Sequence, residues 1–103
     1  MTITTKSLPS SLVNRYHRWR DTGFKEKRTR YEKLAKEGQH PKTMIISCCD
    51  SRVHATTVFG ADTGDFFIHR NIANLVPPYS NSENYHGTSA AIDYAVTALG
   101  VTS

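Results

Sequence analysis

Apolar positions along this chain fall into two regimes. Up to Gly38 they are sparse and spaced for helix. Leu12, Val13, Tyr16 and Trp19 recur at helical intervals after Ser10 and Ser11, which suit the N-cap. Asp21-Thr22-Gly23 breaks that run, and a second one from Lys25 to Glu37 carries Tyr31 and Leu34 on one side. Gly38 supplies a C-terminal stop and Pro41 favours extended chain. From Thr43 the pattern changes. Thr43 to Cys48 is a nearly continuous apolar run, as expected of a parallel strand covered on both faces. Val53 to Phe59 predicts a helical turn or short helix, Gly60 and Gly64 bracket a turn, and Asp65 to His69 predicts a second strand. A polar loop with Pro77-Pro78 and Ser80-Asn81-Ser82 follows. Thr88 to Leu99 then predicts a helix, with Ile92, Ala95, Val96 and Leu99 on one stripe and Gly100 as its end.

Strand, helix, strand and helix in that order predict an α/β fold: a parallel sheet flanked by helices, preceded by a helical arm. The expected division is an arm over residues 1–42 and an α/β core over residues 43–103. A further strand is expected to open at Val101-Thr102-Ser103. Two short strands make a marginal sheet with open edges, so the pattern is that of the front half of an α/β domain.

Charge sharpens the same division. Residues 1–43 hold eleven Lys/Arg against four Asp/Glu, a balance of +7, and residues 44–103 hold two against five, a balance of −3. Arg15, Arg18, Arg20, Lys25, Lys27, Arg28 and Arg30, interleaved with Tyr16 and Trp19, form a basic stretch of the kind that binds nucleic acid or an acidic surface. The expected reading is a solvated helical face whose aromatic stripe packs on a subunit, and nucleic acid is not the expected partner. With 38% apolar residues and no run near the roughly 18 of a membrane-spanning helix, the chain is expected to be soluble and cytoplasmic, with no membrane partner. The only cysteines, Cys48 and Cys49, are neighbours, which is no disulfide framework and leaves free thiols for ligation, nucleophilic chemistry or burial.

Both fall in Ser47-Cys48-Cys49-Asp50-Ser51-Arg52-Val53, at the carboxyl end of the first predicted strand. Open α/β sheets gather functional groups there. A thiolate at Cys48 is a good zinc ligand. Asp50 would be a second ligand or would accept a hydrogen bond from a metal-activated water, and Arg52 can hold that carboxylate ionised in a two-pronged pair. A cysteine after an apolar strand is also a common buried small hydrophobe, and an Asp–Arg pair two apart is a common turn contact. Cys-x-x-x-Arg is too short for a phosphatase loop.

The blocks SCCDSRV, GDFFIHRNIANLVPPY and HGTSAAIDYAVTALGV occur in order and at compatible spacing from about Gln39 to Val101, and together they closely resemble the β-class carbonic anhydrases. The resemblance implies a zinc enzyme that interconverts carbon dioxide and bicarbonate and works as a homodimer or larger oligomer, with the N-terminal helices packing onto a second subunit. By position Cys48 matches the family's first zinc ligand, and Asp50 and Arg52 match its catalytic dyad, in which the acid also swings over to bind zinc. Gln39, Phe67, Ile72 and Tyr94 match its substrate pocket. Phe67, Ile72 and Tyr94 are equally ordinary core residues, and Gln39 an ordinary loop residue. His54, His69 and His86 match no family ligand. The family's later H-x-x-C does not occur in these residues. The expectation is therefore a site completed from a longer polypeptide or another chain. The alternative is a catalytically inactive fragment that acts as a binding or oligomerisation module through its basic arm.

Overall fold

The structure is a computed structural model that describes residues 7–79 and 86–103. The predicted polar stretch Ser80-Asn81-Ser82 lies outside the described residues. The chain forms two compact units, Met1–Lys36 and Glu37–Ser103.

The first unit is helical. Helix α1 spans Ser10–Asp21, with Pro9 at its cap, so Ser10 and Ser11 sit inside the first turn and not at the N-cap as expected. The Pro9 carbonyl takes the N–H groups of Leu12 and Val13 instead, at 3.0 and 3.2 Å. Thr22 ends the helix by folding back: its N–H and hydroxyl both donate to the Arg18 carbonyl, at 3.1 and 2.6 Å. The predicted run from Lys25 is two helices, α2 (Gly23–Glu26) and α3 (Arg28–Glu37), parted at Lys27. Trp19 organises the unit. Its ring lies 6.1 Å from Tyr16, 5.2 Å from Phe24 and 5.8 Å from Tyr31. Gly23 suits that cluster, because a Cβ there would stand 3.3 Å from Trp19 Cδ1. Gly38 follows α3 with φ +81°, the left-handed stop its position predicts.

The second unit is α/β. Strand β1 (Thr43–Cys48) pairs in parallel with β2 (Phe66–Asn71), in a register running from Thr43↔Phe66 to Cys48↔Asn71. The short helix α4 (Ala55–Val58) crosses between them, capped by His54, whose Nδ1 accepts the Thr56 N–H at 3.2 Å. After β2 a tight turn at Ile72–Asn74 holds Ala73 at φ 62° and Asn74 at φ 48°.

Helix α5 (Gly87–Asp93) then widens into a π turn over Tyr94–Ala98, so the predicted continuous α-helix is corrected there. The Leu99 N–H reaches back five residues to the Tyr94 carbonyl, at 3.1 Å. That extra residue per turn moves the apolar stripe: Ala95 is fully buried while Val96 is 57% exposed. Gly100, at φ +67°, lets the Val101 N–H return to the Ala95 carbonyl at 3.0 Å.

Ser103 then lies alongside β1 on the edge away from β2. All six residues of each strand are only half-buried, so β1 is not covered on both faces by the described residues as its apolar run predicts. Ile92, Ala95 and Val101 face Met44 and Ile46 across an open groove of about 300 Å³.

Candidate metal centre at the end of strand β1

Cys48 closes β1, and the ladder takes one further step, with the Cys49 N–H donating to the Asn71 carbonyl at 2.9 Å. Alternation along a strand therefore sends the two thiols to opposite faces. Cys48 is half-buried and Cys49 is exposed. The backbone N–H of Asp50, and after it that of Ala73, holds the Cys48 thiol below the usual cysteine range. Desolvation and the Asp50 charge oppose that shift. The Ala73 N–H that contributes to this belongs to the left-handed turn after β2.

Asp50 and Arg52 form the two-pronged pair that their spacing predicts. Arg52 Nε donates to both carboxylate oxygens, at 3.0 and 3.1 Å, and Nη2 donates to Oδ2 at 2.7 Å. The Arg52 backbone N–H adds a bond to Oδ1 at 2.9 Å. The Arg52 side chain, then its N–H, hold the Asp50 carboxyl below its ordinary value, and the Arg70 charge adds to this. The pair raises the Arg52 guanidinium in turn.

Arg70 is the residue that pattern reading missed. From β2 its Nε donates to the Cys48 carbonyl at 2.7 Å, and its Nη2 to the carbonyls of Asp50 and Val53 at 2.6 and 2.7 Å. Asn71 does similar work for the next turn. Its amide donates to the Leu75 carbonyl (2.8 Å) and to the Thr88 hydroxyl (2.9 Å), and its oxygen accepts the Leu75 N–H (2.9 Å). His69 Nε2 also contacts the Thr88 hydroxyl at 2.9 Å, so His69 belongs to this structural network and His54 to a helix cap. The Arg-Asn pair was visible in the sequence, but its significance depends on the parallel register that sets Asn71 opposite Cys48.

Cys48, Asp50 and Arg52 share an open hollow of about 720 Å³ with Val53, Ala55, Val58 and Phe59. Phe67 and Tyr94 are brought together, ring centroids 5.8 Å apart. Ile72 is 77% exposed, on a separate hollow with Asn71, Val76 and His86. Gln39 is an exposed residue between α3 and β1. The structure thus assembles the acid, the arginine and the thiol on one hollow, pairs Phe67 with Tyr94 outside that hollow's lining, and sets Ile72 on another.

The family model for carbonic anhydrase matches residues 43–103, the whole of the strand–helix region that builds this centre. The chain belongs to the β-class carbonic anhydrases. Over 90 residues it is 36% identical to the carbonic anhydrase of Synechocystis, covering 87% of this chain and 32% of that protein. It is 46% identical over 71 residues to the chloroplastic β carbonic anhydrase 5 of Arabidopsis thaliana, covering 69% of this chain and 23% of the relative. The structure of the β-carbonic anhydrase CcaA superposes with a TM-score of 0.82 at 35% identity, over 89% of this chain and 40% of that one. A structure from work on two tetrameric β-carbonic anhydrases of Sordaria macrospora superposes at 0.73 with 37% identity, over 89% of this chain and 44% of the other. The chain spans about a third of the length of the first curated relatives it matches.

The donor set tests how far a zinc ion fits. A thiol held toward its thiolate is a zinc donor. Asp50, both of whose oxygens are taken by Arg52, becomes a donor only by leaving that pair. Among the described residues no group of three His, Cys, Asp or Glu could hold a metal. A catalytic zinc centre usually takes three protein ligands, so these residues provide part of one and do not close it.

Proposed function

We propose that this chain supplies the Cys48–Asp50–Arg52 part of a zinc-dependent carbonic anhydrase that interconverts carbon dioxide and bicarbonate, in an assembly whose remaining ligands lie outside the described residues. The observation that supports this reading is the convergence of thiol, paired carboxylate and guanidinium on one open hollow, in a chain of this family. Zinc, when bound, supplies a water whose pKa falls from ~15.7 to about 7. Cys48 enters as the thiolate, favoured by the N–H groups of Asp50 and Ala73. Asp50 stays ionised beside it because Arg52 neutralises its charge, and so offers an acceptor for a proton on the attacking oxygen. Phe67 and Tyr94, in ring contact with each other but outside the lining of that hollow, would offer apolar surface to an uncharged substrate such as carbon dioxide. Ile72, exposed after β2, and Gln39, exposed before β1, would join them in the assembly. The working unit is a homodimer or larger.

Stopped-flow hydration of carbon dioxide, with zinc quantified on the same sample, tests the reading. Activity and zinc should both disappear in Cys48→Ser. Hydration that persists in that variant would refute the assignment.

A further inference from the structure

Two guanidinium groups hold the Cys48–Val53 segment, and they hold different things. Arg52 binds a side chain, the Asp50 carboxylate, in a pair that is 87% and 41% exposed at its two ends. Such exposed pairs contribute little to order, because water screens them and two side chains must be immobilised. Arg70 binds backbone. It is half-buried and rooted on β2, and its bonds of 2.6 to 2.7 Å fix the carbonyls of Cys48, Asp50 and Val53. Charge-assisted bonds from a planar, pre-organised fork are the strong kind, and three attachment points along six residues determine a turn.

We propose that Arg70 is the positioning residue of this centre: its three bonds hold the Cys48, Asp50 and Val53 carbonyls in place whether or not the Arg52 side chain is paired with Asp50. The division of labour follows from which atoms each arginine touches. Opening the pair costs the carboxylate its bonds from the Arg52 guanidinium and from the Arg52 N–H, but it removes no bond to a backbone carbonyl. Cys48 then stays where β1 and Arg70 put it while the carboxylate turns. An arrangement in which Arg52 held the turn would instead lose the geometry whenever Asp50 changed partner. The inference rests on the metal-centre reading for its use, but turn order is measurable in the metal-free chain, so it can fail while that reading stands.

The experiment is 15N relaxation on the metal-free protein, comparing wild type with Arg52→Ala, Arg70→Lys and Arg70→Gln. In wild type and Arg52→Ala the amides of Ser51, Arg52 or its replacement, and Val53 should keep order parameters near the rigid value of about 0.85. In both Arg70 variants they should fall below about 0.6, while the amides of β1 and β2 stay rigid. Arg70→Lys keeps the charge but not the fork, so it separates geometry from charge. Loosening of the turn in Arg52→Ala, or a rigid turn in the Arg70 variants, overturns the proposal. Should the Arg70 variants lose the β1–β2 pairing as well, the wild-type and Arg52→Ala side chains decide. A slowly exchanging, ordered Arg70 Nε–H in both supports the clamp, and a rapidly exchanging one overturns it.

Discussion

Ser103 stands opposite Thr43 in a parallel pairing. The Ser103 N–H donates to the Lys42 carbonyl at 3.2 Å, and the Met44 N–H donates to the Ser103 carbonyl at 2.8 Å, the two bonds that flank one residue in a parallel ladder. Thr43 therefore has Phe66 on one side and Ser103 on the other, which makes β1 an inner strand at its start. Backbone groups alternate along a strand, so the N–H of Ile46 points to the same edge as that of Met44, whereas those of Ile45 and Ser47 point to β2. Amide hydrogen exchange should follow these partners: the Ile45 and Ser47 amides slow through β2, and the Met44 amide slow through Ser103. A Met44 amide that exchanges as fast as an unbonded one would contradict the ladder as described.

The Asp50 carboxyl should titrate below an ordinary aspartate, because Arg52 stabilises its charged form. The sign follows from linkage. A carboxyl depressed in the folded state contributes its full increment above the unfolded value and loses it as pH falls through the folded value. The increment is small for so exposed a pair, so the carboxyl resonance is a better monitor than global stability. In Arg52→Ala its midpoint should move up toward the ordinary range, and an unchanged midpoint would count against the pair.

Ala95 is fully exposed to packing and not at all to water, at 0% accessible surface beneath the π turn. It borders the groove of about 300 Å³ that it shares with Met44, Ile46 and Ile92. Ala95→Asp, which puts an unpaired carboxylate at this dry position, should cost roughly 2 kcal/mol or more in urea unfolding. A neutral result would mean that the carboxylate reaches water through the groove.

Trp19 touches three other aromatic rings in the arm. Trp19→Ala should reduce the helical far-UV signal and destabilise the arm by about 1–3 kcal/mol, less than a fully buried tryptophan because the ring is 42% exposed. No loss of helicity would mean that the three helices stand without their aromatic contacts.

Much of this architecture is legible in the residues because local chemistry and apolar period agree. The run from Thr43 to Cys48 gives β1 to the residue, Gly38 and Gly100 end helices where a left-handed residue is needed, and the two-residue Asp–Arg spacing gives the pair. What local pattern does not hold is register. Arg70 reads as one more strand residue until Cys48 and Asn71 are set opposite each other. The π turn is equally hidden, since Ile92, Ala95, Val96 and Leu99 fit a regular helix by spacing alone. The serine caps failed because Pro9 began the helix one residue earlier than they allow. At the centre, Cys48, Asp50 and Arg52 came from one short segment and lie on one hollow, whereas Ile72, carried by the turn after β2, lies on another.

In the proposed centre Cys48, and not its neighbour, delivers the metal-binding thiolate. Zinc per chain, measured on the purified assembly in wild type, Cys48→Ser and Cys49→Ser, decides between them. Zinc should be present in wild type, retained in Cys49→Ser and lost in Cys48→Ser. Equal zinc in all three, or none in wild type, would contradict it.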